Sequence, residues 1–152
     1  MRPILNLVAL LGLASNLGLP TMYWGDLPGM VPVHFGFSGV ADRWGPKWNM
    51  FLLPLVALGI YIAVTLAVRI GGGGNSLIAI TRENAERQRA AMMALTSWIM
   101  AEVVWLFVFI EWRTIQVAIG RADGLSWQFL PIVVLTIFGT IGYYIWRCYQ
   151  LR

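Results

Sequence analysis

The chain has 152 residues, of which 59% are hydrophobic and only 12% charged, and its mean hydropathy is +0.70. Soluble domains carry about 25% charged residues, and a globule of this length cannot hide so much apolar side chain in one core, so an ordinary soluble enzyme is excluded. The net charge of +4 comes from 11 Lys and Arg scattered at the ends of apolar runs, a distribution that marks membrane topology and gives no stripe for nucleic acid. A single cysteine, Cys148, excludes an internal disulfide. A single histidine, His34, excludes bis-histidine haem and multi-histidine cages, so neither cofactor nor metal is expected.

The first apolar run covers 4–23 and is interrupted by Asn6, Ser15 and Asn16. Gly12, Leu13 and Ala14 form a small-x-small pattern of the kind that ends a signal peptide, but the apolar character continues to Leu19, so a retained helix is expected. The connection that follows, 24–47, is unlike the rest of the chain. Pro28 and Pro32 exclude a helix over its first part and push the residues before them toward extended geometry. Val31, Val33, Phe35 and Phe37 recur at period two, predicting an extended segment with one apolar face, and Ser38-Gly39 predicts a turn. So long a connection with so many aromatic residues predicts an ordered cap on the helix ends. His34 and Asp42 stand eight residues apart across that turn, close enough for the carboxylate to fix the imidazole. Three readings of the pair are open: a hydrogen bond that pins the loop, with Arg43 or Lys47 pairing a carboxylate; part of a surface that contacts a ligand or peptide; or, least favoured because one His with Asp42, Asp26 or Glu111 is a poor ligand set, a metal site. Trp24, Trp44 and Trp48 fit an interfacial aromatic belt.

The second run, 48–70, contains Pro54 and Gly59, both tolerated in membrane helices, and ends at Arg69. Glycines 71–74 predict a break and a flexible joint. Beyond it, Glu83 and Arg87 at i,i+4 and Glu86 and Arg89 at i,i+3 read as a solvated extension of the next helix or as a contact for lipid headgroups or a cytoplasmic partner at 71–89. The third run, 90–112, holds Glu102 near its middle, where a lipid-facing carboxylate costs about 2.5 kcal/mol or more; it is expected to face the bundle. Trp98 and Trp105 share its helical face, and Asn6, Asn16 and Thr65 are its candidate polar partners. The intramembrane polar site is therefore Glu102 with Asn16, either as an interhelical bond or as part of a proton, ion or substrate route. Glu111, beside Arg113 near the helix end, is expected to meet the 27–48 cap, as an ion pair or as a second polar site. The fourth run, 127–146, has Trp at both ends. Small residues on the first run (Gly12, Ser15, Asn16) and the fourth (Gly139, Thr140, Gly142) allow close helix approach.

Seven Lys and Arg (Arg2, Arg69, Arg82, Arg87, Arg89, Arg147, Arg152) fall on one side of this arrangement and four (Arg43, Lys47, Arg113, Arg121) on the other. The positive-inside rule then puts both termini in the cytoplasm and 24–47 and 113–126 outside. The expected fold class is all-α: a polytopic integral membrane protein with four transmembrane helices, forming a single domain over 1–152 with an ordered extracytoplasmic loop between helices 1 and 2.

The segment 27–48 carries a more specific signal. Leu27, Pro28, Val31, Pro32, His34, Phe35, Gly39, Asp42, Trp44 and Lys47 follow the pattern LP-x-x-VP-x-HF-x-x-x-G-x-x-D-x-W-x-x-K. This resembles the domain of unknown function in SdpI-like bacterial membrane proteins, over roughly the first 70 residues. The resemblance implies a multi-pass protein of the bacterial inner membrane that gives immunity to a secreted peptide toxin or signals to a cytoplasmic repressor. It points to His34, Phe35, Asp42, Trp44 and Lys47 as the residues that meet an external peptide or a membrane-protein partner. No catalytic residue is expected. The competing reading is a small transport or proton-coupled component built on Glu102. The chain departs from the resemblance in having four spans and no second half.

Overall fold

The structure, a computed structural model, describes residues 2–70 and 81–151. It is mostly helical (72%), with four helices long and apolar enough to span a membrane and a small sheet in the loop between the first two. The chain is a multi-pass membrane protein. Its elements are α1 (Arg2–Met22), β1 (Met30–Phe35), β2 (Ala41–Pro46), a 3-10 turn (Lys47–Phe51), α2 (Leu52–Ile70), α3 (Ala85–Ala118) and α4 (Phe129–Gln150). The expected joint at glycines 71–74 lies outside the described residues.

Helix α3 is the centre of the bundle, packed against α1, α2 and α4. It runs parallel to α1: the Cβ that Gly12 lacks would stand 2.6 Å from Val104 Cγ1, and the Trp105 indole donates to the Val8 carbonyl at 3.1 Å. Ala9, Met100 and Val104 fill this seam, and Ile60, Tyr61 and Val64 of α2 close over it. Of the small residues expected to permit close approach, Gly12 does so, whereas Gly139 and Gly142 have nothing within contact distance of a Cβ. Helix α4 is antiparallel to α3 and is bonded to it at intervals. Gln88 Nε2 donates to the Cys148 carbonyl at 2.8 Å, Thr140 bonds Glu102, and Phe109 and Phe129 stack at 5.4 Å.

The 34 residues of α3 extend past the apolar run 90–112 at both ends. Hydropathy falls at Arg113, but the backbone continues to helix until Gly120, whose φ of +73° turns the chain. The amides of Gly120 and Arg121 return to the carbonyls of Val117 and Gln116 at 3.1 and 2.8 Å, the arrangement by which a left-handed glycine ends a helix. At the end of α1, Pro20 has no N–H to give the Asn16 carbonyl, and the Thr21 hydroxyl bonds the neighbouring Gly18 carbonyl at 2.7 Å.

The two strands form an antiparallel hairpin lying on the helix ends. Val31 pairs with Gly45 and Met30 with Pro46, and the register shifts on either side of His34. Buried Leu27, Val31 and Met50 pack on Ile115 of α3, with Leu19 and Tyr23 of α1 around them. The period-two face expected here holds only in part. Val31 and Pro32 are buried in succession, Val33 is exposed, and Phe37 at the tip is 97% exposed. The register shifts interrupt the alternation that a regular strand would keep.

Candidate functional site

The hairpin brings His34 and Asp42 together: Nδ1 and Oδ1 are 2.6 Å apart, and both side chains are about half exposed. The pairing follows from the tight end of the hairpin. Gly36 and Val40 share a backbone bond of 2.8 Å, and the Gly39 amide returns to the Gly36 carbonyl. Gly39 sits at φ +80°, a region open to glycine and costly for other residues. Among the described residues, no three of His, Cys, Asp and Glu converge, so the pair stands apart from any metal-type cluster.

The hairpin tip is held by the connection between α3 and α4. Leu125 N–H donates to the Gly39 carbonyl at 2.8 Å, and Val40 and Gly124 form a bridge. A Cβ on Gly39 would strike the Leu125 carbonyl, and one on Gly124 would strike the Gly39 carbonyl. Arg113 fixes this connection from below, donating through Nε at 3.0 Å and through Nη2 to the Gly124 carbonyl. Arg113 therefore bonds backbone and forms no ion pair with the neighbouring Glu111. Two residues apart on a helix, the side chains diverge by about 200°, and Arg113 turns to the loop. The Gly39 to Leu125 contact was not legible in the sequence; two glycines at unrelated positions gave no sign that they face each other.

Of the other motif residues, Phe35 is half-buried and Trp44 is 49% exposed on β2. Lys47 pairs with no carboxylate among the described residues. Its Nζ lies 4.3 Å over the Trp24 ring and donates to the Trp24 carbonyl at 3.5 Å. Trp24 also packs against Trp48 at 4.7 Å and Phe51 at 5.5 Å, so two of the three expected belt tryptophans form one cluster.

Glu111 is 2% exposed and lines a small cavity beneath β1, with Pro32, Phe35, Asn49 and Thr114. Its Oε1 has no hydrogen-bond partner among the described residues. Asn16 is fully buried, and among the same residues neither end of its amide is hydrogen-bonded. It does not bond Glu102. Glu102 is bonded by Thr140 of α4, whose hydroxyl donates to Oε1 at 2.5 Å, and its Oε2 is buried without a partner. Asn6 and Thr65 line a separate cavity between α1, α2 and α3. The sequence indicates that Glu102 turns inward but not which helix it meets; in the sequence Thr140 stands out only as a small residue.

A family model described as a domain of unknown function (DUF1648) matches residues 11–58, from the middle of α1 through the hairpin into α2. That stretch is similar to an uncharacterised membrane-type family. No curated protein and no solved structure matches the chain.

Proposed function

We propose that the chain is a non-catalytic component of the bacterial inner membrane that recognises an external peptide through its hairpin, in the manner of SdpI-like immunity or signalling proteins. The observation that carries the reading is a surface fixed from both sides of the fold yet open to a partner. Backbone bonds to the α3–α4 connection hold the tip, while Phe37 stays 97% exposed and His34 and Asp42 keep half their surface free. Holding a recognition surface in one conformation before binding lowers the entropic cost of association. The family match includes the whole hairpin, which agrees with this placement. Both termini are cytoplasmic in this reading, as the Lys and Arg distribution favours.

The test is survival. A strain deleted for the chain is exposed to peptides secreted by its own parent, and wild type, Phe37→Ala and His34→Ala/Asp42→Ala are supplied in turn at matched membrane levels. Wild type restores growth and the variants do not. Full rescue by both variants would overturn recognition through the hairpin. Thiol labelling of Ser38→Cys but not Glu83→Cys from outside intact cells is the expected topology, and the opposite pattern refutes it.

A second reading, a small transport or proton-coupled component, is favoured by Glu102 lining a cavity midway along α3. It predicts loss of flux in Glu102→Gln with peptide recognition intact.

A further inference from the structure

Glu102 stands near the midpoint of α3, about 25 Å from either end at 1.5 Å per residue. It lines a cavity of about 500 Å³ that follows the α3–α4 seam from Ser126 and Gln128 to Thr136 and Ile137, a volume within the range of about 300–1,000 Å³ typical of small-molecule sites. The walls are apolar and aromatic: Trp105, Leu106 and Phe109 from α3, Phe129 and Ile132 from α4. Phe109 and Phe129 stack nearly parallel, 11° between planes, toward the Ser126 and Gln128 end.

The carboxyl in this setting is incompletely satisfied. Thr140 occupies Oε1, Oε2 is buried beneath the cavity wall with no partner among the described residues, and no lysine or arginine among them lines the cavity. A bare carboxylate among such walls is costly. A ligand ammonium supplies the opposite charge and N–H donors, and the Trp105 and Phe109 rings can add cation–π attraction. The depth of Glu102 separates two sources of such a group. The ammonium of a lipid headgroup is confined to the interface, roughly 15 Å from the middle of a hydrocarbon core about 30 Å thick, whereas a small amphiphile can enter head first.

We propose that the α3–α4 cavity is a binding site for a lipophilic amine, with the ammonium at Glu102 and the apolar part along Phe109 and Phe129. The proposal uses the site of the transport reading but concerns binding alone.

The experiment places the full chain in phosphatidylcholine nanodiscs and measures equilibrium binding of 4-phenylbutylammonium against empty discs. Saturable binding above the empty-disc level is expected, at least tenfold weaker in Glu102→Gln, with 4-phenylbutanol a poor competitor. Val133→Trp, which narrows the cavity from its α4 wall and leaves Glu102 in place, should weaken binding by a similar factor, and it decides the matter if Glu102→Gln does not fold. Binding no greater than to empty discs, undiminished binding in either folded variant, or equal competition by the alcohol would overturn the proposal. Saturable Glu102-dependent binding without flux in vesicles would overturn transport and leave the site standing.

Discussion

Replacing Gly39 with alanine tests how firmly the hairpin is held. The residue lies at φ +80°, and its missing Cβ points at the Leu125 carbonyl. A left-handed conformation costs a residue with a Cβ about 1–2 kcal/mol. Relief of the backbone clash requires the α3–α4 connection to draw back, and that breaks the 2.8 Å bond from Leu125 N–H to the Gly39 carbonyl, a further loss of about 1 kcal/mol. The local opening of this contact should become easier by about 2–3 kcal/mol, which at 1.4 kcal/mol per decade is roughly a 30- to 150-fold faster exchange of the Leu125 amide. Hydrogen exchange read by mass spectrometry on peptides covering 120–128 is the assay. Gly29→Ala is the internal control, because nothing lies within contact distance of its Cβ. Gly124→Ala should act like Gly39→Ala through the clash alone. Unchanged exchange in both Gly39→Ala and Gly124→Ala would refute the docking of hairpin on connection.

Two further outcomes follow from the buried amides. Gln88→Ala removes the side chain that bonds the Cys148 carbonyl, which keeps the Leu151 N–H at 3.2 Å, so it should destabilise the folded protein by about 0.5–1.5 kcal/mol; a midpoint equal to wild type in a detergent-resistant unfolding titration would contradict this. Asn16→Leu replaces an amide buried with both ends unbonded by an apolar group of similar size. It should be neutral or stabilising by about 1–2 kcal/mol, and a loss of stability of that size would indicate that the amide is satisfied by a group such as bound water.

The four spans were readable because hydropathy over some 20 residues reports compatibility with lipid, which composition controls directly. The ends of α3 were not, because helix termination depends on backbone geometry at Gly120 and apolar character fades earlier, at Arg113. Within the cap, the approach of His34 to Asp42 was legible from a spacing across a turn, a local property. Contacts that depend on tertiary placement were not: Arg113 reaches the Gly124 carbonyl, and Lys47 settles on Trp24. For Glu102, cost dictated an inward orientation, but several helices offered polar groups and only packing selects Thr140.

The contact between Gly39 and Leu125 also sets an order of events during synthesis. The hairpin emerges before α2, yet the backbone groups that hold its tip are made about 85 residues later, a delay of roughly 4–17 s at ordinary elongation rates of about 5–20 residues per second. Until α3 is in place and has turned at Gly120, the tip has nothing to close on. A nascent or truncated chain therefore carries a hairpin paired within itself but undocked at its tip, and docking waits on the turn that follows the third helix.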